Sequence, residues 1–407
     1  MRKHAELATA AARAPARAIP HAASAGLVAE VVVASRFAAM RAAWHDLVAR
    51  AAEPNAFMDP ALVASAAATN SEVPIRVVLA WQPSEGVSRL VGAWAFALDR
   101  PRKSPLPLRM LIAPVHVHAH LATPVVDRDC PDEALDAMLD ALAADTQCPK
   151  IVALEAMGTD GATMAALARV LEARGSAPCL FERSQRPKLA SALDGESYLK
   201  NALSAGSRKK LRQHRRRLAE QGALTRVTTS DPPALARAIE DFLALEASGW
   251  KSRQGTAFLC DPAQAAFLRA AVAALAENGG VTIDALAIDG RPVSMQIILR
   301  CGSAAFTWKT AFDEKFQDFS PGMLLLEDYT TSFLADEAID YVDSCAQDDS
   351  GFMAVWSERQ GVADLWFDVR RGGSLAFRSL SALQKSYRDL RATAKNAYYA
   401  TRRPRKR

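Results

Sequence analysis

The sequence predicts an α/β (α+β) fold in two tandem units, each a mixed, mostly antiparallel sheet flanked by helices. Three observations carry this expectation. Strand-like runs alternate with amphipathic helical runs instead of clustering. The order helix, strand hairpin, helix, strand occurs in both halves. The 407 residues, 50% of them hydrophobic, are enough to bury two ordinary cores. The division expected is a disordered basic arm over 1–26, an N-terminal unit over 27–180, a C-terminal unit over 181–380, and a helix with a basic tail over 381–407.

In the first unit Val28 to Ala34 reads as a strand, and Phe37 to Ala52 as a helix that turns Trp44, Leu47 and Val48 inward. Arg76 to Trp81 and Leu90 to Leu98 form a hairpin pair, followed by a helix from Asp132, a buried strand from Ile151 and a helix from Thr163. Between Gly175 and Gly195, Pro178, Pro187 and a charged segment break the periodicity and mark the expected boundary. A long helix from Ser197 or Ser204 carries Arg208, Lys209, Lys210, Arg212, Arg215, Arg216 and Arg217, too many to share one face. Val281 to Ile288, Val293 to Arg300 and Ala304 to Ala311 then read as three antiparallel strands, joined by Asp289-Gly290-Arg291-Pro292 and Cys301-Gly302-Ser303. A helix starts at Ser320-Pro321-Gly322, with the serine suited to the N-cap and the proline to the first helical position. Ile339 to Asp343 and Leu365 to Val369 are further strands, and Ser381 to Tyr399 is a helix.

Charge is unevenly spread. Residues 1–26 hold four basic residues against one acidic, 200–217 eight against none, and 370–407 twelve against one, while the whole chain is only +5. The folded body is therefore acidic, which argues against a nucleic-acid partner. Six scattered cysteines contain no Cys-x-x-Cys pair, so reduced thiols, a cytoplasmic protein and no metal site are expected. The alternation His116, His118, His120 suggests a strand with three imidazoles on one side. With no acidic or thiol partner nearby in sequence, a ligand-lining or surface strand is preferred over a metal site.

The most informative stretch is Thr307-Trp308-Lys309-Thr310-Ala311-Phe312-Asp313-Glu314, running toward Ser320-Pro321-Gly322-Met323. Alternation puts Phe306, Trp308 and Thr310 on one face and Thr307 and Lys309 on the other. The free N–H groups and positive dipole end of the following helix make an anion site, and Gly322 lets a pyrophosphate approach the backbone.

Together with Leu245-Glu246-Ala247-Ser248-Gly249-Trp250-Lys251 and Gly255-Thr256-Ala257, this stretch resembles the acetyltransferase domain of cellulose-biosynthesis-associated proteins. That is a branch of the GNAT superfamily of acyl-CoA-dependent N-acyltransferases, related to the Fem-type peptidoglycan aminoacyltransferases. The resemblance covers Tyr198 to about Trp366; Asp318 to Met323 departs from the usual pyrophosphate-loop pattern. It implies an acyltransferase using acetyl-CoA or another acyl-CoA, with a small polar or saccharide acceptor in envelope or exopolysaccharide metabolism. Ser320, Pro321, Gly322 and Met323 are then the donor-binding residues. Lys309, Asp313 and Glu246 are the catalytic candidates, the lysine steadying an oxyanion and a carboxylate taking the proton. Trp250, Lys251, Trp308, Asp343 and Ser344 are placed toward substrate. Two other readings remain open: an aminoacyl-tRNA-dependent transferase whose basic helix grips RNA, and a non-catalytic module of a polysaccharide synthase. The C-terminal basic tail suits peripheral contact with an anionic membrane.

Overall fold

The computed structural model describes residues 26–347 and 351–402, and side chains as far as residue 394. Residues 1–25 of the arm expected over 1–26, and the last residues of the basic tail, lie outside the described residues. Within them the strands are β1 (Val28–Val33), β2 (Ile75–Gln82), β3 (Arg89–Asp99), β4 (Met110–Ala113), β5 (Val125–Val126), β6 (Ile151–Gly158), β7 (Cys179–Leu189), β8 (Leu224–Thr229), β9 (Val281–Ile288), β10 (Arg291–Cys301), β11 (Ala304–Phe312), β12 (Tyr341–Asp343) and β13 (Glu358–Asp368). They form one sheet in the order β1-β2-β3-β4-β6-β13-β7-β12-β11-β10-β9-β8, with β5 beside β3.

The two halves repeat one topology. An antiparallel run, β1 to β4 or β8 to β11, leads into a helix, Pro131–Ala144 or Pro321–Leu334, and then into a strand that pairs in parallel with the last of the run. A parallel return needs such a crossover. The correspondence extends to single residues. Two positions after the last parallel pair, Ala113↔Leu154 in one half and Phe306↔Asp343 in the other, the backbone turns left-handed at Ala156 (φ 58°) and Cys345 (φ 54°). In each half the kink falls just past the parallel pairing, inside β6 at Ala156 and beyond the end of β12 at Cys345.

The segment whose prolines and charges were expected to interrupt the periodicity is instead a strand. β7 runs through Pro187 and a row of charged residues and lies beside β13, which returns from the far end of the chain to sit between β6 and β7. Pro187 has no N–H to give, and the sheet uses its carbonyl instead, bonded from Ser344 N–H at 3.2 Å. The expected strand Leu365 to Val369 is the second half of this longer β13. The expected helix over Phe37 to Ala52 divides into Ala34–Ala38 and Arg41–Ala49, and the closing helix starts earlier, at Leu375–Arg402.

Both faces of the C-terminal sheet are covered, which explains the near-continuous apolar runs of β9 and β10. Met295, Ile297 and Leu299 of β10 pack under helices Pro232–Ala247 and Pro262–Ala276, in a core that also takes in Phe57 and Trp94 of the other half. Val293 and Ile298 face the opposite layer, with Leu324, Leu325 and Tyr329 of Pro321–Leu334 and Leu211 and Leu218 of Ala205–Ala219. The basic helix is therefore amphipathic. Leu211, His214 and Leu218 are buried at helical spacing while Lys209, Lys210, Arg212, Arg216 and Arg217 remain exposed. No single described helix is long and apolar enough to cross a membrane.

Candidate active site

β11 and β12 pair over three residues only, Ala304↔Tyr341, Ala305↔Val342 and Phe306↔Asp343, and then part. Two local features open the gap. One is the left-handed turn at Cys345. The other is a bulge on β11: Ile298 opposes Thr307 and Ile297 opposes Lys309, so that Trp308 is the extra residue. The bulge overturns the expected alternation. Phe306, Trp308 and then Ala311 face one apolar layer, which releases Thr310 from the tryptophan's side.

A cleft of about 350 Å³ opens where β11 ends and helix Pro321–Leu334 begins. It brings together Glu246, Trp250, Lys251, Ser320, Pro321, Gly322 and Met323, with Thr310 to Phe312 as one wall and Phe352 at the side. Pro321 takes the first helical position, as its fixed φ suits. Ser320 sits at the N-cap in the left-handed region (φ 51°), and its hydroxyl makes no capping bond, contrary to expectation. Met323 N–H is already committed to Ser320 O at 2.9 Å. Among the described residues the helix start offers Gly322 N–H and Ser320 Oγ to the cleft. A Cβ built on Gly322 meets nothing within 4 Å, so this face of the turn is open. Trp250 stands at the mouth, 44% exposed, with its N–H held by Glu314 at 2.6 Å.

The carboxylates expected to act as bases are tied into the frame. Glu246 is buried, with Oε1 accepting from Lys251 Nζ at 2.8 Å and Oε2 accepting from Phe258 N–H at 2.8 Å. Lys251 also donates to Thr310 O at 3.0 Å, which locks this helix end onto β11. We expect Glu246→Gln to lower stability by about 3 kcal/mol, because it leaves a half-buried ammonium without its counter-charge; a urea midpoint within error of wild type would return Glu246 to the list of free bases. Asp313 does not line the cleft. It caps the short turn Glu314–Phe319 by accepting Lys315 N–H at 2.9 Å. Glu314 forms a two-oxygen pair with Arg253 at 2.8 and 3.0 Å.

Lys309 lies one residue back along β11, inside the parting of the strands. Its Nζ is 3.1 Å from His118 Nδ1 and 3.4 Å from His120 Nε2, and it stands 5.7 Å from the centre of the Phe258 ring. Burial, then repulsion from Lys251, lowers its pKa to about 8. Burial, with Lys309 nearby, also keeps both imidazoles neutral, His118 lowered to about 2 and His120 well below its ordinary value. Residues 116–120 are a loop leaving the end of β4, not the strand expected. Their carbonyls tie the halves together: His118 O accepts Trp308 Nε1 at 2.6 Å, and His120 O accepts Arg186 Nη1 at 2.7 Å.

Three residues expected to face substrate are internal. Trp308 is buried against Phe267, ring centres 6.2 Å apart at a steep angle. Asp343 is fully buried, ion-paired with Arg186, and accepts Cys345 N–H at 2.8 Å. Ser344 is buried too, its hydroxyl accepting Ala346 N–H at 3.2 Å. Asp343 and Ser344 shape the kink after β12, and none of the three lines the cleft. The histidines and Arg186 are what sequence reasoning missed. The His-x-His-x-His alternation was the available signal, and it does not say what the loop reaches. A second cleft of about 540 Å³ has His120 in its wall, together with Arg102, Lys103, Glu155, Arg186 and Gln347.

Residues 205–351 match the family model of the acetyltransferase (GNAT) domain. No curated protein matches the chain. Among solved structures, FemX is 14% identical, with 84% of this chain and 97% of that one covered and a TM-score of 0.53. The C-terminal DUF2156 domain of an Agrobacterium fabrum protein described as a lysylphosphatidylglycerol synthetase is 11% identical, covers 87% of this chain and 96% of its own, and has a TM-score of 0.50. At such identities the likeness is one of fold. The chain has a GNAT-like fold, a large mixed sheet flanked by helices, and its C-terminal half carries the acetyltransferase-like domain.

Proposed function

We propose that the protein is an acyl-CoA-dependent acyltransferase that moves an acyl group, in the first instance acetyl, to an amine or hydroxyl of a small polar acceptor such as an amino sugar. One observation carries the reading: the open helix start at Ser320–Gly322 shares a cleft with the end of β11, the strand that parts from β12 after Phe306. Diphosphate binds at Gly322 N–H, Ser320 Oγ and the helix dipole, and the pantetheine follows Thr310 to Phe312 inward. The acceptor lies in the cleft lined by Arg102, Lys103, Glu155 and Arg186, with His120 in its wall.

In the reaction the protonated acceptor amine gives a proton to neutral Lys309, and its lone pair attacks the thioester carbonyl. The C–N bond forms, the C–S bond breaks, the departing thiolate takes the proton back from the Lys309 ammonium, and the second proton on the acylated nitrogen leaves to water, giving the neutral amide. The lysine suits this exchange because a group with a pKa near the working pH holds both states in quantity. Glu246, with both oxygens occupied, and Asp313, which caps a turn outside the cleft, are assigned to the frame.

A second donor has one observation in its favour. The basic helix Ala205–Ala219 packs beside Glu314–Phe319 and is anchored to the donor helix by Arg215, whose Nη2 lies 3.1 Å from Leu324 O and 2.7 Å from Asp328 Oδ1. Its exposed cations therefore lie near the cleft, where they suit the phosphates of coenzyme A or the backbone of an aminoacyl-tRNA. Thermal denaturation separates the readings. Acetyl-CoA at a hundredfold excess over Kd stabilises the fold by about 2.7 kcal/mol on the first reading. A response to tRNA alone favours the second, and a response to neither favours a non-catalytic module. The same proposal takes the protein as cytoplasmic, with its C-terminal basic tail resting on anionic lipid; the branch serving cellulose or exopolysaccharide synthesis belongs to it as well.

A further inference from the structure

We propose that the N-terminal half is part of the active centre, with His118 and His120 acting as positioning residues for Lys309. This rests on the acyltransferase reading for its purpose, but its geometry is independent of that reading.

The corresponding helix start in the N-terminal half is unfit for an anion. Pro131–Ala144 opens with Asp132 and Glu133 in its first turn, and Arg169 grips Asp132 at 2.6 and 2.7 Å. The strand that would border a donor gap there, β4, instead sends residues 114–120 across to the other half. That loop is held firmly. His116 stacks on Phe267 at 3.6 Å, His118 packs on Phe258 at 4.3 Å, and His120 meets Phe57 edge-on at 5.7 Å. Two backbone carbonyls of the loop are also bonded, by Trp308 and Arg186. The outcome of this packing is two ring nitrogens aimed at one ammonium.

Lys309 has no carboxylate within ion-pair distance among the described residues. The charged or titratable groups around it are His116, His118 and His120 on the loop, Lys251 and Glu246 beside the cleft, and Cys345 after β12. Glu246 is already paired with Lys251, and burial raises the pKa of the Cys345 thiol, which keeps it neutral. Imidazole lone pairs are thus the acceptors that remain for the Lys309 N–H groups. A buried ammonium without acceptors loses its proton or moves. The two histidines therefore fix both the direction of Nζ and the pH at which it exchanges a proton, and neither needs to touch substrate.

The test is the titration of Lys309 in the full chain, followed through its 15Nζ-lysine NMR signal, identified by its loss in Lys309→Arg. Wild type is expected to titrate near pH 8. In His118→Leu/His120→Leu, where apolar groups of similar size keep the site dry and remove the acceptors, the midpoint falls by about one unit or more. His118→Gln/His120→Gln, which keeps a carbonyl acceptor, stays within about half a unit of wild type and serves as the reporter should the leucine variant not fold. An unchanged or higher midpoint in the leucine variant, or a glutamine variant that shifts as leucine does, overturns the inference. If the midpoints move as expected while no acyl donor is turned over, the positioning role stands and the transferase reading fails. If Lys309→Ala abolishes turnover while the midpoints stay fixed, the positioning role alone fails.

Discussion

Gly322→Asp is expected to abolish coenzyme A binding, raising Kd by at least about a hundredfold, which corresponds to about 2.7 kcal/mol, while leaving the fold as stable as before. The two halves of that expectation come from different physics. A Cβ at this position meets nothing in the protein, so the side chain enters the cleft without displacing any neighbour. An acidic residue in the first turn is favourable to the helix itself, by about 0.3–1 kcal/mol. The same charge repels a diphosphate held at that turn. A variant that melts no lower than wild type yet gives no heat with acetyl-CoA in calorimetry therefore locates the donor. Gly322→Ala separates charge from bulk and is expected to weaken binding less. An affinity unchanged in the aspartate variant removes the diphosphate from this helix start.

Lys309→Met is expected to slow turnover by about 10²–10⁴-fold, the range for loss of a proton-exchange group, with donor affinity nearly unaltered. The pH dependence follows from the sign of the shift. If neutral Lys309 takes the proton, the wild-type rate rises with pH and levels above about 8. A rate that falls through that range would mark the lysine as a fixed cation instead. Stability moves the other way. A lysine whose folded pKa lies below the unfolded value of 10.5 opposes folding while it must be charged in both states. That opposition is complete below pH 8 and relieved as pH climbs from 8 toward 10.5. Lys309→Met is thus expected to gain stability at pH 7, on the order of 1–3 kcal/mol, and to lose the advantage as pH approaches 10.5. Denaturation at three pH values checks this without any acceptor being known.

The C-terminal elements were readable because their signals are local. Asp289-Gly290 and Gly302 punctuate the strands where β9, β10 and β11 turn, and Pro321 announces the helix that carries Gly322. What could not be read depends on distant parts of the chain or on a single inserted residue. The Trp308 bulge is one residue in one strand, and it changes which side chains share a face. Asp343 is placed by sequence toward substrate, but Arg186, 157 positions away, pairs with it inside the protein. Glu246 has the right type and spacing for a base, but Phe258 N–H and Lys251 occupy its oxygens, a pairing that helix periodicity does not specify. β7 is hard to foresee because its proline and charge argue against an interior strand. It is accepted there because β13 gives it a full-length partner. The histidines form a visible pattern that reads as a strand, whereas their place is set by the lysine they reach in the other half.

The account depends on the diphosphate of an acyl donor resting at the start of helix Pro321–Leu334. A crystal structure of the protein with coenzyme A tests this directly. The account predicts phosphate oxygens within hydrogen-bonding distance of Gly322 N–H and Ser320 Oγ, with the pantetheine running between β11 and β12 toward Lys309. Coenzyme A bound elsewhere at full occupancy, such as in the cleft of about 630 Å³ beside Lys188 and Tyr341, would contradict it.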